Sequence, residues 1–423
     1  MPYYPRILDS ELDQLLGGGI KAVAIEGAKA VGKSATAAER AETVFALEDQ
    51  AQRLLLGADP KRILTGGSVL IDEWQLVPET WSEVRHAVDG NQGGPYLLTG
   101  SASAAHPGTH SGAGRILTLR MRPMTLVERG VEVPAVSLAA LLSGSRPAIA
   151  GRTAVGLERY VEEICRSGFP AIREFEDRAL RAQLAGYINR VIDRDVDDAT
   201  GRKFRNRTAL RRWLRAYAAS TATSAAFETI RAAATPGESD KPAKTTTIAY
   251  RDALEAIHVL EPLRAWLPND SPIRELTTAE KHHLADPALA VSILGLGPAA
   301  LLDGADGGVS VVRNGTFLGA LFESLVTLNT RVFAQAGEAA VAHLRTQRGV
   351  HEVDLIVVRD DQRVVALEVK LSGTVDDGDV KHLRWLKEAL GDDLLDAAVI
   401  TTGSDAYRRR DGIAVIPAAL LGP

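Results

Sequence analysis

The chain is short of cysteine and of long apolar runs. Its 423 residues include a single cysteine, Cys165, which excludes an internal disulfide and a zinc site built from several cysteines. No apolar run reaches the roughly 18 residues that a membrane-spanning helix requires, and the N-terminus lacks the charged-then-apolar layout of a secretory signal. We therefore expect a globular protein of the cytoplasm with no membrane partner and with an unreactive, buried thiol.

A large excess of charge of one sign is also missing. The formal net charge of −5 argues against a protein that coats nucleic acid along its whole surface. One segment departs from this average, because eleven arginines and lysines face four aspartates between Arg178 and Arg215. The length predicts two or three domains.

The most informative stretch is residues 23–34, VAIEGAKAVGKS, which carries the spacing Gly-x4-Gly-Lys-Ser of a Walker A loop. Glycines at 27 and 32 let successive backbone N–H groups face phosphates, Lys33 places a cation on the β/γ oxygens, and Ser34 offers a hydroxyl to Mg²⁺. A strand before the loop and a helix after it put the phosphates at a helix N-terminus. The sequence therefore predicts ATP and Mg²⁺ as cofactors, and the predicted nucleotide contacts are Gly27, Ala28, Lys29, Ala30, Val31, Gly32, Lys33, Ser34 and Ala35.

A second motif ends the apolar run at residues 68–73. Asp72 is predicted to support the Mg²⁺ shell with Ser34, and Glu73 is predicted to polarise the attacking water, as in a Walker B strand. The alternative is that the two carboxylates only cap the following turn. Strand, loop, helix, strand, helix and strand in this order indicate a parallel sheet with right-handed crossovers.

Three further residues are candidates for the same site. Thr99 and Ser101 end the next predicted strand, where ligands of such sheets bind, and the alternative for each is a polar turn. Arg115 follows a Gly/Ser-rich loop and is either an arginine finger that neutralises transition-state charge or half of a structural ion pair.

Five segments resemble a large prokaryotic family of AAA-like ATPases that carry a C-terminal domain of unknown function: GAKAVGKS, VLIDEWQLVPETW, YLLTGSAS, AGRILTLRMRPMTLVE and SGFPAIRE. The resemblance covers essentially the whole chain. It departs at Lys29-Ala30, where that family usually has Arg-Gln, and at Ser34, where Thr is commoner; neither change removes a phosphate ligand. Residues 187–195 are similar to a family signature in which an arginine and an aspartate close a lid helix over the core, which implies that Arg194 is a second arginine candidate.

The middle of the chain is predicted to be helical, and residues 208–290 are typical of a winged helix. Winged helices place their third helix in the major groove of DNA, and others are protein docks. The predicted third helix offers Arg251 but also Asp252 and Glu255, which is a poor DNA-binding face, so DNA contact would depend more on the basic cluster at 202–215.

The last module has the layout of a PD-(D/E)XK nuclease core. Asp354 begins one strand, Glu368 and Lys370 lie on one face of the next, and Glu323 lies in an apolar helix. Carboxylate oxygens suit Mg²⁺, and a lysine on the same face can orient a water. We therefore expect Asp354 and Glu368 to share a metal ion, with Glu323 near and Lys370 in the same cleft.

These patterns predict an α/β protein in three parts: an AAA-like P-loop core at 1–150, a helical lid and winged helix at 151–305, and a restriction-endonuclease-like domain at 306–423. The first functional hypothesis is an ATP-hydrolysing switch or motor on DNA or a protein partner, with Glu73, Lys33, Arg115 and Arg194 as catalytic residues. The alternatives are an ATP-gated metal-dependent nuclease and a non-catalytic interaction protein. The sequence leaves the oligomeric state open.

Overall fold

The computed structural model describes residues 3–100, 112–201, 203–235, 242–268, 273, 276–302 and 315–423. Ser101 and Arg202 lie outside the described residues. No helix in the described part is both long and apolar enough to cross a bilayer. Cys165 is half-buried, and burial raises the pKa of its thiol to about 12, which supports the expectation of an unreactive cysteine.

The strands in chain order are β1 (Ala22–Glu26), β2 (Thr43–Ala46), β3 (Val69–Asp72), β4 (Tyr96–Gly100), β5 (Leu117–Arg120), β6 (Val136–Ser137), β7 (Ala150–Arg152), β8 (Ala340–Arg345), β9 (Glu352–Val358), β10 (Val364–Val369), β11 (Leu394–Thr401), β12 (Asp405–Arg408), β13 (Ala414–Pro417) and β14 (Leu421–Gly422).

The α-helices are α1 (Ile7–Gly17), α2 (Lys33–Ala38), α3 (Gln50–Ala58), α4 (Glu79–Asp89), α5 (Leu138–Leu142), α6 (Leu157–Arg166), α7 (Pro170–Arg173), α8 (Asp177–Arg190), α9 (Val196–Thr200), α10 (Arg207–Ala219), α11 (Phe227–Ala233), α12 (Lys244–Ala256), α13 (Pro287–Leu294), α14 (Pro298–Leu302), α15 (Gly315–Ala336) and α16 (Lys381–Leu390). A π-helical turn, Val191–Asp195, joins α8 to α9.

The N-terminal module is built on a five-stranded parallel sheet in the order β2-β3-β4-β1-β5. Residues 22–25 of β1 are buried on both faces of the sheet, as expected where helices cover a parallel sheet on both sides. The register aligns Asp72 with Thr99 and Glu26 with both Gly100 and Arg120. All five strands therefore end at one edge, where the Walker A loop and Glu73 follow directly. The predicted parallel sheet is confirmed.

The segment that follows the parallel sheet, which contains β6 and β7, pairs with strands near the C-terminal end of the sequence. β6 pairs in parallel with β14, and β7 pairs with β12 at one edge of the C-terminal sheet. The Ser137 hydroxyl donates to the carbonyl of Pro423 at 2.6 Å. The domain boundary expected near residue 150 therefore falls inside a segment that belongs, by its contacts, to the C-terminal sheet.

The middle module is helical from α6 to α14, with one β-ribbon. Residues 260–263 and 281–284 form antiparallel bridges after the helices α10, α11 and α12. The SGFP segment is held by Asp286, whose carboxylate accepts the backbone N–H of Gly168 at 2.6 Å. Glu163 is fully buried and lies 3.3 Å from both Arg129 and Arg173. This part of the family resemblance therefore corresponds to a buried ion-pair network.

The C-terminal module contains a seven-stranded mixed sheet in the order β7-β12-β13-β11-β10-β9-β8. In chain order, this module begins with helix α15, which is followed by the antiparallel strands β8, β9 and β10. Helix α16 comes next and leads to β11, which pairs in parallel with β10. α15 also packs against α1 and α6, and one continuous apolar core joins the three modules.

Candidate active site

The Walker A loop connects β1 to α2 and has little room for side chains. A Cβ added at Gly27 would lie 2.2 Å from the carbonyl oxygen of Met121, and Gly32 has φ +105°, a conformation that only glycine adopts easily. The Lys33 ammonium donates to the carbonyls of Gly27 and Ala28, each at 2.9 Å. Burial lowers the pKa of Lys33 to about 8, although the Glu73 carboxylate favours its charged form.

Asp72 joins the Walker A loop to the neighbouring strand. One of its oxygens, Oδ1, accepts the Ser34 hydroxyl at 2.7 Å and the Thr99 hydroxyl at 2.5 Å. Thr99 is buried and is directly opposite Asp72 in the sheet, so it orients the carboxylate. Ser34 and Asp72 together present the hard oxygen ligands that suit Mg²⁺. The structure thus brings together three residues predicted from separate motifs.

Glu73 has an unusual backbone conformation, with φ 56° and ψ 45°. This left-handed region is costly for a residue with a side chain, and it is one of the strained conformations that recur at active sites. The Gln75 side-chain amide donates to the Glu73 carboxylate. Burial raises the pKa of Glu73 above its usual value, with Lys33 opposing the shift, and a raised pKa suits a carboxylate that acts as a general base near neutral pH.

A cavity of about 560 Å³ opens over the Walker A loop. Besides the loop and Glu73, its lining includes Tyr3, Tyr4, Arg6 and Arg190. The Arg6 guanidinium donates to the carbonyls of Val31 and Arg122, each at 2.7 Å, and so fastens the loop to the N-terminal segment. Sequence reasoning missed Tyr3, Tyr4 and Arg6 because they lie far from any motif in the chain, and within the signature at 187–195 it selected Arg194 instead of Arg190.

The two arginines that the sequence predicts for the nucleotide site, Arg115 and Arg194, lie outside the cavity. Arg115 is half-exposed and bonds to Asp89 at 2.7 Å, and Arg194 is exposed in the π-helical turn. Neither lines the cavity, whereas Arg190, one helical turn before Arg194, does. The same turn reaches the loop through Asp195, which bonds to Lys29 at 2.8 Å.

A buried cluster of charges connects the end of β5 to the other modules. Glu261 lies 2.8 Å from Arg122, 3.5 Å from Arg120 and 3.9 Å from Arg331 of α15. Although burial opposes the shift, Arg122 and then the other two arginines hold the pKa of Glu261 far below its usual range. His258 lies 3.9 Å from Glu26, the residue before the Walker A loop. Burial and the Arg120 charge lower the pKa of His258 to about 3.

Two of the carboxylates predicted for the C-terminal module, Asp354 and Glu323, lie around one ammonium group. Lys281 Nζ lies 2.8 Å from Asp354, 2.9 Å from Glu323 and 3.2 Å from Glu352. Glu368 bonds to Lys370 at 2.9 Å. Burial and then the Asp354 charge raise the pKa of Glu368 to about 8. Among the described residues, no group of three or more His, Cys, Asp or Glu side chains is arranged to hold a metal ion.

Lys281 is the residue of this cleft that sequence reasoning missed. It comes from the β-ribbon of the middle module, 42 positions before Glu323 in the chain. No local pattern around Lys281 indicates that it meets carboxylates of another module.

Three family profiles match separate parts of the chain. One described as an AAA domain matches residues 20–129, a domain of unknown function, DUF8612, matches 157–300, and another, DUF4143, matches 318–421. No curated protein matches in sequence. Among solved structures, the Walker-type ATPase PABY2304 of Pyrococcus abyssi aligns with a TM-score of 0.41 and 14% identity, over 69% of this chain and 96% of that one, a likeness too low to support an inference. The similarity to an AAA domain is thus confined to residues 20–129, and the two later matches are to domains of unknown function.

Proposed function

We propose that this protein is an Mg²⁺-dependent ATPase that acts as a nucleotide-controlled switch or motor on DNA or a protein partner. The observation that carries the proposal is the convergence on Asp72 of hydroxyls from two separate motifs, beside the buried ammonium of Lys33. If Lys33 were only a lysine after a glycine-rich turn, its side chain would be expected to be solvated, whereas it is buried.

Each residue has a role that follows from its position. Backbone N–H groups of the loop and Lys33 bind the phosphates, and Ser34 and Asp72 would hold Mg²⁺, which neutralises charge on the β and γ oxygens when bound. Thr99 keeps the Asp72 carboxylate in place. Glu73 takes a proton from the attacking water, because its carboxylate borders the cavity and its pKa is raised.

The partner is proposed on weaker grounds than the ATPase. The three helices and β-ribbon of the middle module are compatible with a winged helix, and the path of the C-terminal module is compatible with a nuclease-like fold. Arginines in the basic stretch are already engaged, however: Arg207 pairs with Asp197, and Arg211 with Asp193 at 3.2 Å. Arg251 of α12 is 3.6 Å from Glu255 on the same helix. These pairs reduce the positive charge available to a DNA backbone.

The test is phosphate release from ATP and Mg²⁺ by the full chain, with and without double-stranded DNA. We expect activity in the wild type and its loss in Lys33→Ala, since Lys29, the other lysine of the loop, is bonded to Asp195. Lys61→Ala changes an exposed lysine outside the cavity and is the matched control. Retained turnover in Lys33→Ala would contradict the assignment. Stimulation by DNA would identify DNA as the partner, and an unchanged rate would favour a protein.

A further inference from the structure

The C-terminal cleft contains a cation that belongs to the protein itself. The Lys281 side chain is 2% exposed, and its ammonium contacts carboxylates of α15 and β9 at 2.8 to 3.2 Å. The ammonium donates hydrogen bonds to Glu323 and Asp354, and the Glu352 carboxylate adds a third ion pair. Burying a charge in this way is tolerated only where partners compensate it.

The backbone delivers Lys281 to this place from a different module. Lys281 and Leu263 exchange hydrogen bonds as an antiparallel bridge, with N···O distances of 2.9 and 2.8 Å. The strand that contains Leu263 continues to Trp266, whose N–H donates to the carbonyl of His343 in β8 at 2.7 Å. The ribbon is thus fastened to the C-terminal sheet, and the position of Lys281 is set by backbone hydrogen bonds as well as by charge.

Both oxygens of Asp354, a central ligand of the expected metal site, are already engaged. Asp354 Oδ1 accepts from Lys281, and Asp354 Oδ2 accepts the backbone N–H of Val369 at 2.9 Å. One Glu368 oxygen is bonded to Lys370, which leaves the other as a buried oxygen without a hydrogen-bond partner. A divalent cation needs several oxygen ligands at once, and here it would have to displace an ammonium that already holds three carboxylates.

We infer that Lys281 takes the place of the metal ion in this nuclease-like cleft, so that the cleft binds no divalent cation while Lys281 is present. The ammonium compensates the carboxylates and clamps the ribbon of the middle module to α15 and β9. On this inference the cleft does not carry out metal-dependent cleavage of nucleic acid.

The experiment measures Mn²⁺ binding to the nucleotide-free full chain by electron paramagnetic resonance. Every variant carries Asp72→Asn, so that bound Mn²⁺ does not report the Walker site. We expect no bound Mn²⁺ with Lys281 present and one bound Mn²⁺ per chain in Lys281→Ala. The affinity of Lys281→Ala for Mn²⁺ should be at least about tenfold higher than that of the parent. Adding Asp354→Asn to Lys281→Ala should abolish that binding. Lys381→Ala removes an exposed lysine of the same module and should behave like the parent.

Two results would overturn the inference. One is stoichiometric Mn²⁺ binding to the parent that Asp354→Asn removes, and the other is a folded Lys281→Ala variant that gains no Mn²⁺. If circular dichroism shows that Lys281→Ala does not fold, the test is the comparison of the parent with its Asp354→Asn variant. Absence of bound Mn²⁺ from both proteins supports the inference. Mn²⁺ that binds the parent and is lost in Asp354→Asn refutes it. ATP binding by the Lys281→Ala variant is measured separately. Failure of the inference about Lys281 can therefore be distinguished from failure of the ATPase proposal.

Discussion

At the scale of single residues, the proposed ATPase site depends on where two neighbouring carboxylates point. Asp72 ends a strand and keeps extended geometry, so its side chain meets the hydroxyls of Ser34 and Thr99. Glu73 follows in a left-handed conformation, which turns its side chain toward the cavity instead of continuing the strand. In the proposed mechanism these adjacent acids therefore have different roles, Asp72 toward the metal and Glu73 toward the water.

We predict that Glu73→Gln binds ATP normally and hydrolyses it about 10²- to 10⁴-fold more slowly, the range that general-base catalysis contributes. Glutamine keeps the shape of the side chain but does not accept a proton. Nucleotide binding is measured by equilibrium fluorescence and turnover by phosphate release. If ATP affinity collapses instead, Glu73 is a structural or metal-binding residue.

The arginine that acts on the nucleotide is a second prediction at this scale. Arg190 lines the cavity, whereas the sequence points to Arg115 and Arg194, which stay predictions. We expect Arg190→Ala to lower kcat/KM about tenfold or more, because the guanidinium borders the nucleotide site. Arg181→Ala, which changes an exposed arginine of the same helix outside the cavity, is the matched control, and Arg194→Ala in the same assay tests the sequence prediction.

The same assay, repeated at several protein concentrations, tests Arg115. Activity per chain that rises with concentration and is lost in Arg115→Ala would indicate an arginine supplied to a neighbouring chain. Concentration-independent activity that survives Arg115→Ala would leave this residue as the ion-pair partner of Asp89.

At the scale of elements, the Walker A loop is fastened to the π-helical turn that follows α8. The bond between Lys29 and Asp195 is 2.8 Å long, with side chains that are 43% and 7% exposed. π-Helical turns are rare and occur mainly at functional sites. Since Arg190 precedes the same turn, the bond links loop and cavity wall, and a change in the loop on nucleotide binding would be transmitted to α8.

We predict a coupling energy of about 0.5 to 1 kcal/mol between Lys29→Met and Asp195→Asn in a double-mutant cycle of unfolding. The exposure of Lys29 keeps the value small. The pair of Arg62 and Asp59, 3.7 Å apart with both side chains about half-exposed, is the control and should give a value near zero. Equal coupling in both cycles would mean that the loop is not specifically fastened to α8.

At the scale of the whole molecule, buried charges connect modules that are distant in the chain. Glu261 of the middle module meets Arg122 after the parallel sheet and Arg331 of α15. The Arg331 guanidinium also donates to the carbonyls of Glu261 and Pro262, each at 2.8 Å. The same helix carries Glu323, the partner of Lys281, so α15 touches both charged sites.

We predict that Glu261→Gln lowers the free energy of unfolding by about 3 to 5 kcal/mol at pH 7, since it leaves buried arginines without their counter-charge. Because the folded pKa of Glu261 is depressed, its contribution is present above the unfolded pKa of about 4.3 and is lost as pH falls toward the folded value. Denaturation of wild type and variant between pH 3 and 7, measured in about half-unit steps, should show the difference shrinking only below about pH 4.3. A difference that is constant down to pH 3 would contradict this origin.

The Walker motifs were identified from the sequence alone, for a physical reason. A phosphate-binding loop is made by consecutive backbone groups, so Gly27, Gly32, Lys33 and Ser34 are adjacent in the chain and their spacing is informative. The alternation of apolar strands and helices likewise predicted the parallel sheet, because hydrophobic periodicity is local.

Only the tertiary structure decided what depends on distant segments. Arg6 reaches the nucleotide cavity from an element that no local pattern connects with the loop, and only the fold shows that Arg190 of the 187–195 segment lines this cavity. β7 completes the edge of a sheet whose other strands lie far later in the chain. Lys281 meets Glu323 and other carboxylates through a ribbon from another module. Buried carboxylates require a compensating positive charge, so the acidic residues in the sequence predict a cation beside them. Only the folded structure shows that this cation is the Lys281 ammonium.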